Sequence, residues 1–471
     1  MSLKKNNILI ISSMAIFVEA LDIAIINLTI PAIQKQFMIT NDQVQWLQTL
    51  YVLLYGGFLI IGGKLSDVVG SKKVFIVGAA LFLLTSLGAG LAGTFAFLSL
   101  SRAIQGLAAA LIMPSALSIV THTFTEEQER SKAIGIFSSF AAVGSGSGLS
   151  IGGIISTYMG WHWVFLINVP ILAFIMVVGW FYLPNDTPEQ KQPSPDLFSG
   201  ILLVMGLLML SYGVHQLGDI REQYKLIMLC AAGVIVCVRL LYIRLTRRAN
   251  PLIDLSVFKA PSVITANGVF ILLGAFFTGY LFVISQLLQK DMHYSAAKAG
   301  LLLVPFSLLS AMVAKFMLPG IMKRLTIEQT GLLGMSCMLT GGLVLICAVF
   351  AGYSLPLLLL SAAFISGLGM TICFTSLSVL AVKNIPKQHY GLASSLGTTT
   401  YFLGAGVGLS ILTLFMQKGS EGASVSGLSL IILSMYALIG LLWIIIYIVN
   451  AVSLKNTTVS LNKSERLPDV F

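Results

Sequence analysis

The chain has 471 residues, 57% of them hydrophobic and only 10% charged, with a formal net charge of +10. A water-soluble domain carries roughly a quarter charged residues, so this composition excludes an ordinary soluble enzyme and points to a chain that lives in a bilayer. The basic excess reads as membrane loops, which collect Lys and Arg, and no nucleic-acid partner is expected. The five cysteines, Cys230, Cys237, Cys337, Cys347 and Cys373, lie in apolar stretches without metal or redox spacing. They are expected to be small core hydrophobes, and neither a metal nor a cofactor is expected.

Apolar runs occur at 8–30, 44–62, 74–93, 96–121, 133–155, 164–183, 198–217, 225–244, 263–287, 297–318, 329–350, 356–381, 392–416 and 427–450. These fourteen runs approach the roughly 20 residues that a crossing helix needs. Backbone in a bilayer must satisfy its own hydrogen bonds, so helices are expected, and the alternation of barrel strands is absent. The first run follows Lys4 and Lys5 like a signal peptide. It is too long, holds two acids and lacks a small-residue cleavage site, so it is expected to stay as the first span. An even number of spans places both ends on one side. With the N-terminus inside, the inner segments and span ends hold twenty Lys and Arg. The outer loops hold only six: Lys35, Arg221, Lys225, Lys290, Lys298 and Lys418. Both termini are therefore expected in the cytoplasm.

The first run carries Glu19 and Asp22 near its centre. A carboxylate at the bilayer midplane costs about 2.5–3.5 kcal/mol on insertion scales. Three residues apart, the two share one helix face at about 5–6 Å between Cβ atoms. Carboxylates that close resist simultaneous ionisation, so the pair is expected to hold a proton and to couple its movement to transport. A purely structural acid bonded to helix ends is the alternative for either residue.

After the second run comes Gly63-Lys64-Leu65-Ser66-Asp67-Val68-Val69-Gly70-Ser71-Lys72-Lys73, expected as a loop with a tight glycine turn. Asp67 in it suits a helix N-terminus or a cation. The fourth run holds Arg102, which either snorkels to the interface or acts as an inner cation on a carboxylate or on carbonyls. In the fifth run Gly144, Gly148 and Gly152 form a close-packing face and soften the helix. Pro184–Pro195 reads as a flexible joint, and the tail after Ser453 as polar and mobile. Val143–Ile151 (VGSGSGLSI) and Leu403–Ile411 (LGAGVGLSI) match at six of nine positions at an offset of 260. Such an echo suggests duplicated halves with the site at their interface. Tyr51, Tyr55, Phe277, Tyr280 and Tyr401, with Phe17, Phe276 and Phe402, are candidates to line a cavity for a lipophilic cation. Each of these, taken singly, is more often packing or lipid-facing.

The G-x-L-x-D-x-x-G-x-K-K spacing resembles the major facilitator superfamily. Leu21-Asp22-Ile23-Ala24-Ile25-Ile26-Asn27-Leu28-Thr29-Ile30-Pro31 is similar to the first-span signature of its fourteen-span drug:proton antiporters. So are Gln45-Trp46 through Tyr51, Gly160-Trp161 through Pro170, and Pro251-Leu252-Ile253-Asp254-Leu255. The resemblance implies an all-α integral membrane fold of two six-helix bundles with two inserted helices. The corresponding division is 1–184, 185–262, 263–453 and a cytoplasmic tail at 454–471. It further implies a proton-coupling role for Asp22, and for Arg102 with Gln105 and Gly106. Gly63, Asp67, Gly70 and Lys72 match a cytoplasmic latch, although Val68 stands where the family often has Arg. Leu149 stands where the family's helix-bending proline falls.

The expectation is thus a monomeric, non-enzymatic exporter in a bacterial cytoplasmic membrane. It would exchange protons for lipophilic, cationic drugs or biocides, with proton coupling at Asp22, Glu19 and Arg102. Cargo would be bound by Glu19, Asp22, Tyr51, Tyr55, Phe277, Tyr280 and Tyr401. The sequence has no G-x-x-x-x-G-K-[ST] loop for ATP. The rivals are an exporter or symporter of one metabolite, or a non-transporting receptor on the same fold.

Overall fold

The computed structural model describes residues 3–184, 186, 196–248, 250–383, 385–386, 390–416 and 425–464. Fourteen helices among them are long and apolar enough to cross a membrane. They are α1 (Lys5–Leu28), α2 (Trp46–Val69), α3 (Ser71–Gly90), α4 (Phe95–Thr123), α5 (Glu127–Tyr158), α6 (His162–Tyr182) and α7 (Leu197–Gly218). The rest are α8 (Ile220–Arg247), α9 (Pro261–Asp291), α10 (Ala296–Arg324), α11 (Ile327–Phe350), α12 (Leu355–Ala381), α13 (Leu392–Leu414) and α14 (Gly427–Asn450). Each apolar run became one helix. Polar turns extend many of them, because lengthening an existing helix costs far less than nucleating one.

Two segments differ from expectation. Gly63 to Val69, read as loop, forms the last turns of α2, and the turn itself is confined to Gly70, with φ +112°. Leu65, Val68 and Val69 keep the helix going, and Lys64 anchors it by donating Nζ to the Pro251 carbonyl at 2.6 Å. The backbone of the last helix also continues past the apolar run to Ser464, where a loose tail was expected. No glycine or proline interrupts that stretch. Of the Pro184–Pro195 joint only Pro184 and Asp186 fall within the described residues, and 465–471 lie outside them.

In the first bundle α1 packs on α5, α2 on α4, and α3 on α4 and α6. In the second α9 packs on α13 and α14, and α11 on α12 and α14. The glycine echo has a shared physical role in the two. A Cβ on Gly144 would lie 2.4 Å from the Phe17 carbonyl oxygen of α1, and one on Gly404 would lie 1.9 Å from that of Ile271 on α9. Gly148 and Gly152 extend the same stripe along α1 within an uninterrupted α5 helix. Only glycine allows such backbone approach. Among the cysteines, Cys230, Cys237 and Cys373 are buried, whereas Cys347 is exposed on the outside of α11.

The bundles meet along two seams, α2 with α13 and α5 with α10. The face of the molecule that carries the N-terminus is here called the basic face. Near the opposite face the bundles are joined by hydrogen bonds. Ser285 Oγ donates to the Asn27 carbonyl at 2.5 Å, Thr413 Oγ1 to Gln45 Oε1 at 2.7 Å, and the Ala297 amide to Thr157 Oγ1 at 2.9 Å. Along α5, Gly153 presses on α10, where a Cβ would sit 2.1 Å from the Ala296 carbonyl oxygen. Gly135, about five turns nearer the basic face and on the same side of the helix, has nothing within 4 Å. The α5–α10 seam therefore spreads toward the basic face. The other seam stays packed there, through Ile60 and Ile61 of α2 with Leu396 of α13 and Leu252, Ile253 and Val257.

The inserted pair α7–α8 covers that packed seam. Ser211 of α7 pairs with Ser410 of α13 at 2.6 Å, and the Tyr212 ring meets that of Trp46 of α2 at 5.9 Å in a tilted contact. Asp196, buried at the start of α7, binds Arg244 of α8 at 2.6 Å and Arg248 at 3.3 Å. Burial opposes ionisation of this carboxyl, but the hydrogen bonds from Arg244 and Ser199 outweigh it and hold its pKa below the ordinary value.

Candidate functional site

Asp22 and Arg102 are both fully buried. Arg102 Nη1 forms an ion pair with Asp22 Oδ2. The other carboxylate oxygen accepts a hydrogen bond from Asn168 Nδ2 of α6 at 2.9 Å. Arg102 also donates Nε to the Leu47 carbonyl at 3.3 Å and Nη1 to Gln105 Oε1 at 3.0 Å, and Gln105 passes the chain on to Ser86 Oγ at 2.8 Å. The guanidinium lies 4.3 Å over the Tyr51 ring, a cation–π contact. Gly106 makes this possible, because α4 approaches α2 so closely that a Cβ there would be 2.2 Å from the Tyr51 carbonyl oxygen. Arg102 thus does not snorkel. It ties α1, α2 and α4 to one charge, and Asn168 adds α6.

Glu19 sits one turn away on α1, only 3% exposed. It makes no ion pair among the described residues, and its Oε2 has no hydrogen-bond partner there. Tyr55 of α2 lies beside its carboxyl, close enough for the two groups to interact. Tyr55 begins a chain of rings that crosses between bundles: Tyr51 at 6.1 Å, and Phe402 of α13 at 4.3 Å. Phe402 meets Tyr401 at 5.3 Å, and Tyr401 meets Phe374 of α12 at 5.6 Å. The structure therefore brings Glu19, Asp22, Arg102, Tyr51, Tyr55 and Tyr401 into one connected group. Phe277 and Tyr280 pair with each other on α9 at 6.5 Å. Phe17 packs instead with Leu21, Ile25 and Val164.

The sequence profile of the Major Facilitator Superfamily matches residues 12–409. The chain belongs to the major facilitator superfamily. It is 29% identical over 408 residues to the multidrug resistance protein Stp of Mycobacterium tuberculosis, covering 86% of this chain and 74% of that one. It is 30% identical over 418 residues to the tetracenomycin C resistance and export protein of Streptomyces glaucescens, covering 86% and 75%. Against the multidrug efflux pump LfrA of Mycolicibacterium smegmatis it is 29% identical over 415 residues, covering 86% and 80%. Among solved structures, a mutant of the peptide transporter POT bound to alafosfalin aligns with a TM-score of 0.67 at 16% identity, covering 94% of each chain. A mutant of the nucleoside transporter NupG aligns with a TM-score of 0.68 at 11% identity, covering 94% of this chain and 99% of that one. At such identity these structures speak for the fold alone. This facilitator is a multi-pass small-molecule transporter of the bacterial cytoplasmic membrane, and not an enzyme.

The facilitator's latch residues are placed differently from one another. Gly63 and Asp67 are on the last turns of α2, with Asp67 exposed, while Gly70 forms the turn and Lys72 opens α3. An anion at the N-terminus of α3 that the latch motif does not contain is Asp186. Its carboxylate accepts from the Lys72 amide at 2.9 Å and the Lys73 amide at 3.2 Å, where the helix end favours negative charge. A Cβ on Gly70 would lie 2.2 Å from the Asp186 Cγ, so space as well as φ demands glycine. Lys72 Nζ donates to the Leu183 carbonyl at 3.1 Å, fastening the same corner to the end of α6.

Sequence reasoning missed Asn168 and Asp186. Asn168 carried a faint signal, a lone amide flanked by Ile167 and Val169 at the edge of an apolar run. A buried amide in such a place needs a partner. Asp186 carried none, since it sits in a stretch where Asn, Asp, Thr and Pro are ordinary.

Proposed function

We propose that this facilitator is a fourteen-span drug:proton antiporter that exports lipophilic, chiefly cationic drugs or biocides by alternating access. The observation that carries the reading is Glu19, a buried carboxyl one turn from a neutralised Asp22–Arg102 pair and, among the described residues, without a cation of its own. Ionised Glu19 bears the cost of a desolvated charge. A proton removes that cost, and so does a cationic cargo, but one carboxylate serves only one of them at a time. Competition for it is exchange. The rings of Tyr51, Tyr55 and Tyr401 give a lipophilic cation apolar walls and π faces. Asp22 and Arg102 hold the local charge balance and fix α1 against α2 and α4.

One proton moving inward for one monocation moving outward transfers no net charge, so the membrane potential cancels and the pH difference drives export, at about 1.4 kcal/mol per pH unit and without ATP. The names of the tetracenomycin C export protein and of the efflux pump LfrA lend weight to export as the direction. The spread α5–α10 seam at the basic face fits a state that takes cargo from the side where the charge bias puts the cytoplasm. The test is accumulation of a lipophilic cation in inside-out vesicles with an acid interior and no ATP. Accumulation that collapses with the pH gradient is expected. Accumulation that persists without any gradient, or that needs ATP, would refute the reading.

A further inference from the structure

Exchange at Glu19 moves cargo only if the second bundle responds to what occupies that carboxyl, and Glu19 belongs to the first. We infer that Tyr55 is the positioning residue that transmits the occupancy of Glu19 to the second bundle, through its ring contact with Phe402. The inference rests on the exchange reading above.

Tyr55 faces both ways. On one side it lies beside the Glu19 carboxyl, close enough to interact with it, and on the other its ring lies 4.3 Å from that of Phe402 at an interplanar angle of 40°. Both side chains are buried, Tyr55 to 2% exposure and Phe402 to 9%. The backbone beside them leaves no slack. A Cβ on the neighbouring Gly56 would lie 2.8 Å from Phe402 Cβ and 3.1 Å from the Thr399 carbonyl oxygen. In a close-packed contact a ring that moves must displace its neighbour. From Phe402 the contacts continue to Tyr401, to Phe374 and on to Phe270 at 5.3 Å, linking α13, α12 and α9.

The chemistry at the other end is a change of hydrogen bond. An ionised Glu19 accepts a charge-assisted bond from the Tyr55 hydroxyl, which is roughly twice as strong as a neutral one. A proton on Glu19 weakens that bond, and a cation seated on the carboxylate competes with it. The other charged or titratable groups around Glu19 are Asp22 on α1, Tyr51 on α2 and Arg102 on α4. Arg102 is engaged by Asp22 and lies over the Tyr51 ring, and of the two phenols beside Glu19 it is Tyr55 whose ring touches the second bundle, so Tyr55 is the one placed to report the state of Glu19.

The test uses the full-length protein in proteoliposomes with tetraphenylphosphonium as the lipophilic cation. Proton-driven exchange is followed from acid to alkaline pH for the wild type, Tyr55→Phe, Phe402→Leu, Glu19→Gln and the double variant Tyr55→Phe/Glu19→Gln. Tyr55→Phe keeps the ring and removes the hydroxyl. It is expected to shift the midpoint of the pH profile and to lower turnover about tenfold, more than it weakens apparent affinity. Phe402→Leu is expected to lower turnover while keeping the midpoint, and it remains informative if Tyr55→Phe does not fold. On the Glu19→Gln background, where downhill movement of the cation is followed instead of exchange, Tyr55→Phe is expected to add nothing. An unshifted Tyr55→Phe profile in a protein whose wild type is coupled would overturn the relay alone, as would a full additive effect on the Glu19→Gln background. A wild type that moves the cation without exchanging protons would overturn the exchange reading, and the relay with it.

Discussion

One turn of α1 carries two acids in opposite surroundings. Asp22 is saturated: Arg102 occupies one oxygen and Asn168 the other, and the arginine is braced by Gln105, the Leu47 carbonyl and the Tyr51 ring. Glu19 has the phenols of Tyr51 and Tyr55 beside it and, among the described residues, an oxygen with no hydrogen-bond partner. The difference teaches that a carboxylate in a membrane span can be architecture or chemistry, and that its partners decide which. On the proposed reading, Asp22, bound on both oxygens, belongs to the frame, whereas Glu19 is free to trade ligands.

The comparison breaks most visibly at Arg102. Arg102→Ala leaves Asp22 as a buried, unpaired charge, which costs about 3–5 kcal/mol. The expected outcome is a large fall in folded yield, read by size-exclusion chromatography in detergent. Replacing both charges, Asp22→Asn with Arg102→Gln, removes the unpaired charge and is expected to restore most of that yield. Should the double variant fold no better than Arg102→Ala, Asp22 is not acting as a counter-charge.

Glu19→Gln comes next. The amide cannot shed a proton, so uphill export of a lipophilic cation is expected to fall to background while downhill movement survives. Paired uptake assays with and without an imposed pH gradient read this directly. Uphill transport at the wild-type rate would move the exchange step away from Glu19.

Asn168→Ala removes one of the two clasps on Asp22 and is expected to cost about 1–2 kcal/mol of stability. The thermal midpoint in detergent should drop while the pH profile of exchange keeps its midpoint. A shifted midpoint would show that Asp22 itself titrates during the cycle.

The smallest effect is expected at Asp196, far from both acids in sequence, whose hydrogen bonds among the described residues stay within the inserted pair. Its depressed pKa means that its contribution to stability is complete above the ordinary carboxyl value and is lost as the pH falls through the lower folded value. Asp196→Asn should therefore lower the thermal midpoint slightly at neutral pH, and the gap from wild type should close in strong acid. A gap that widens in acid would contradict the assignment of the Arg244 pair.

Much of the frame was legible in the sequence because a bilayer imposes length and apolarity on each span. The runs at 329–350 and 427–450 coincide with α11 and α14 at nearly every residue. The last turns of α2 were misread because Gly63, Ser66 and Asp67 look like a loop in isolation, while in the fold Lys64 finds the Pro251 carbonyl. The acids of α1 announced themselves as charges in oil, and their spacing placed them on one face. What divides them was not legible. The partners of Asp22 come from positions 80 and 146 residues away in the chain, and no local pattern shows that Arg102 reaches Asp22 rather than Glu19. The same holds for Tyr55 and Phe402, whose contact exists only where two bundles meet.

The most direct measurement is proton release on cargo binding, followed with a pH indicator in weakly buffered detergent solution as tetraphenylphosphonium is added at a pH where Glu19 is protonated. The wild type is expected to release protons in step with binding, and Glu19→Gln to bind the cation without releasing any. Equal release from both proteins would contradict the account, since the exchanged proton would then sit on some other group.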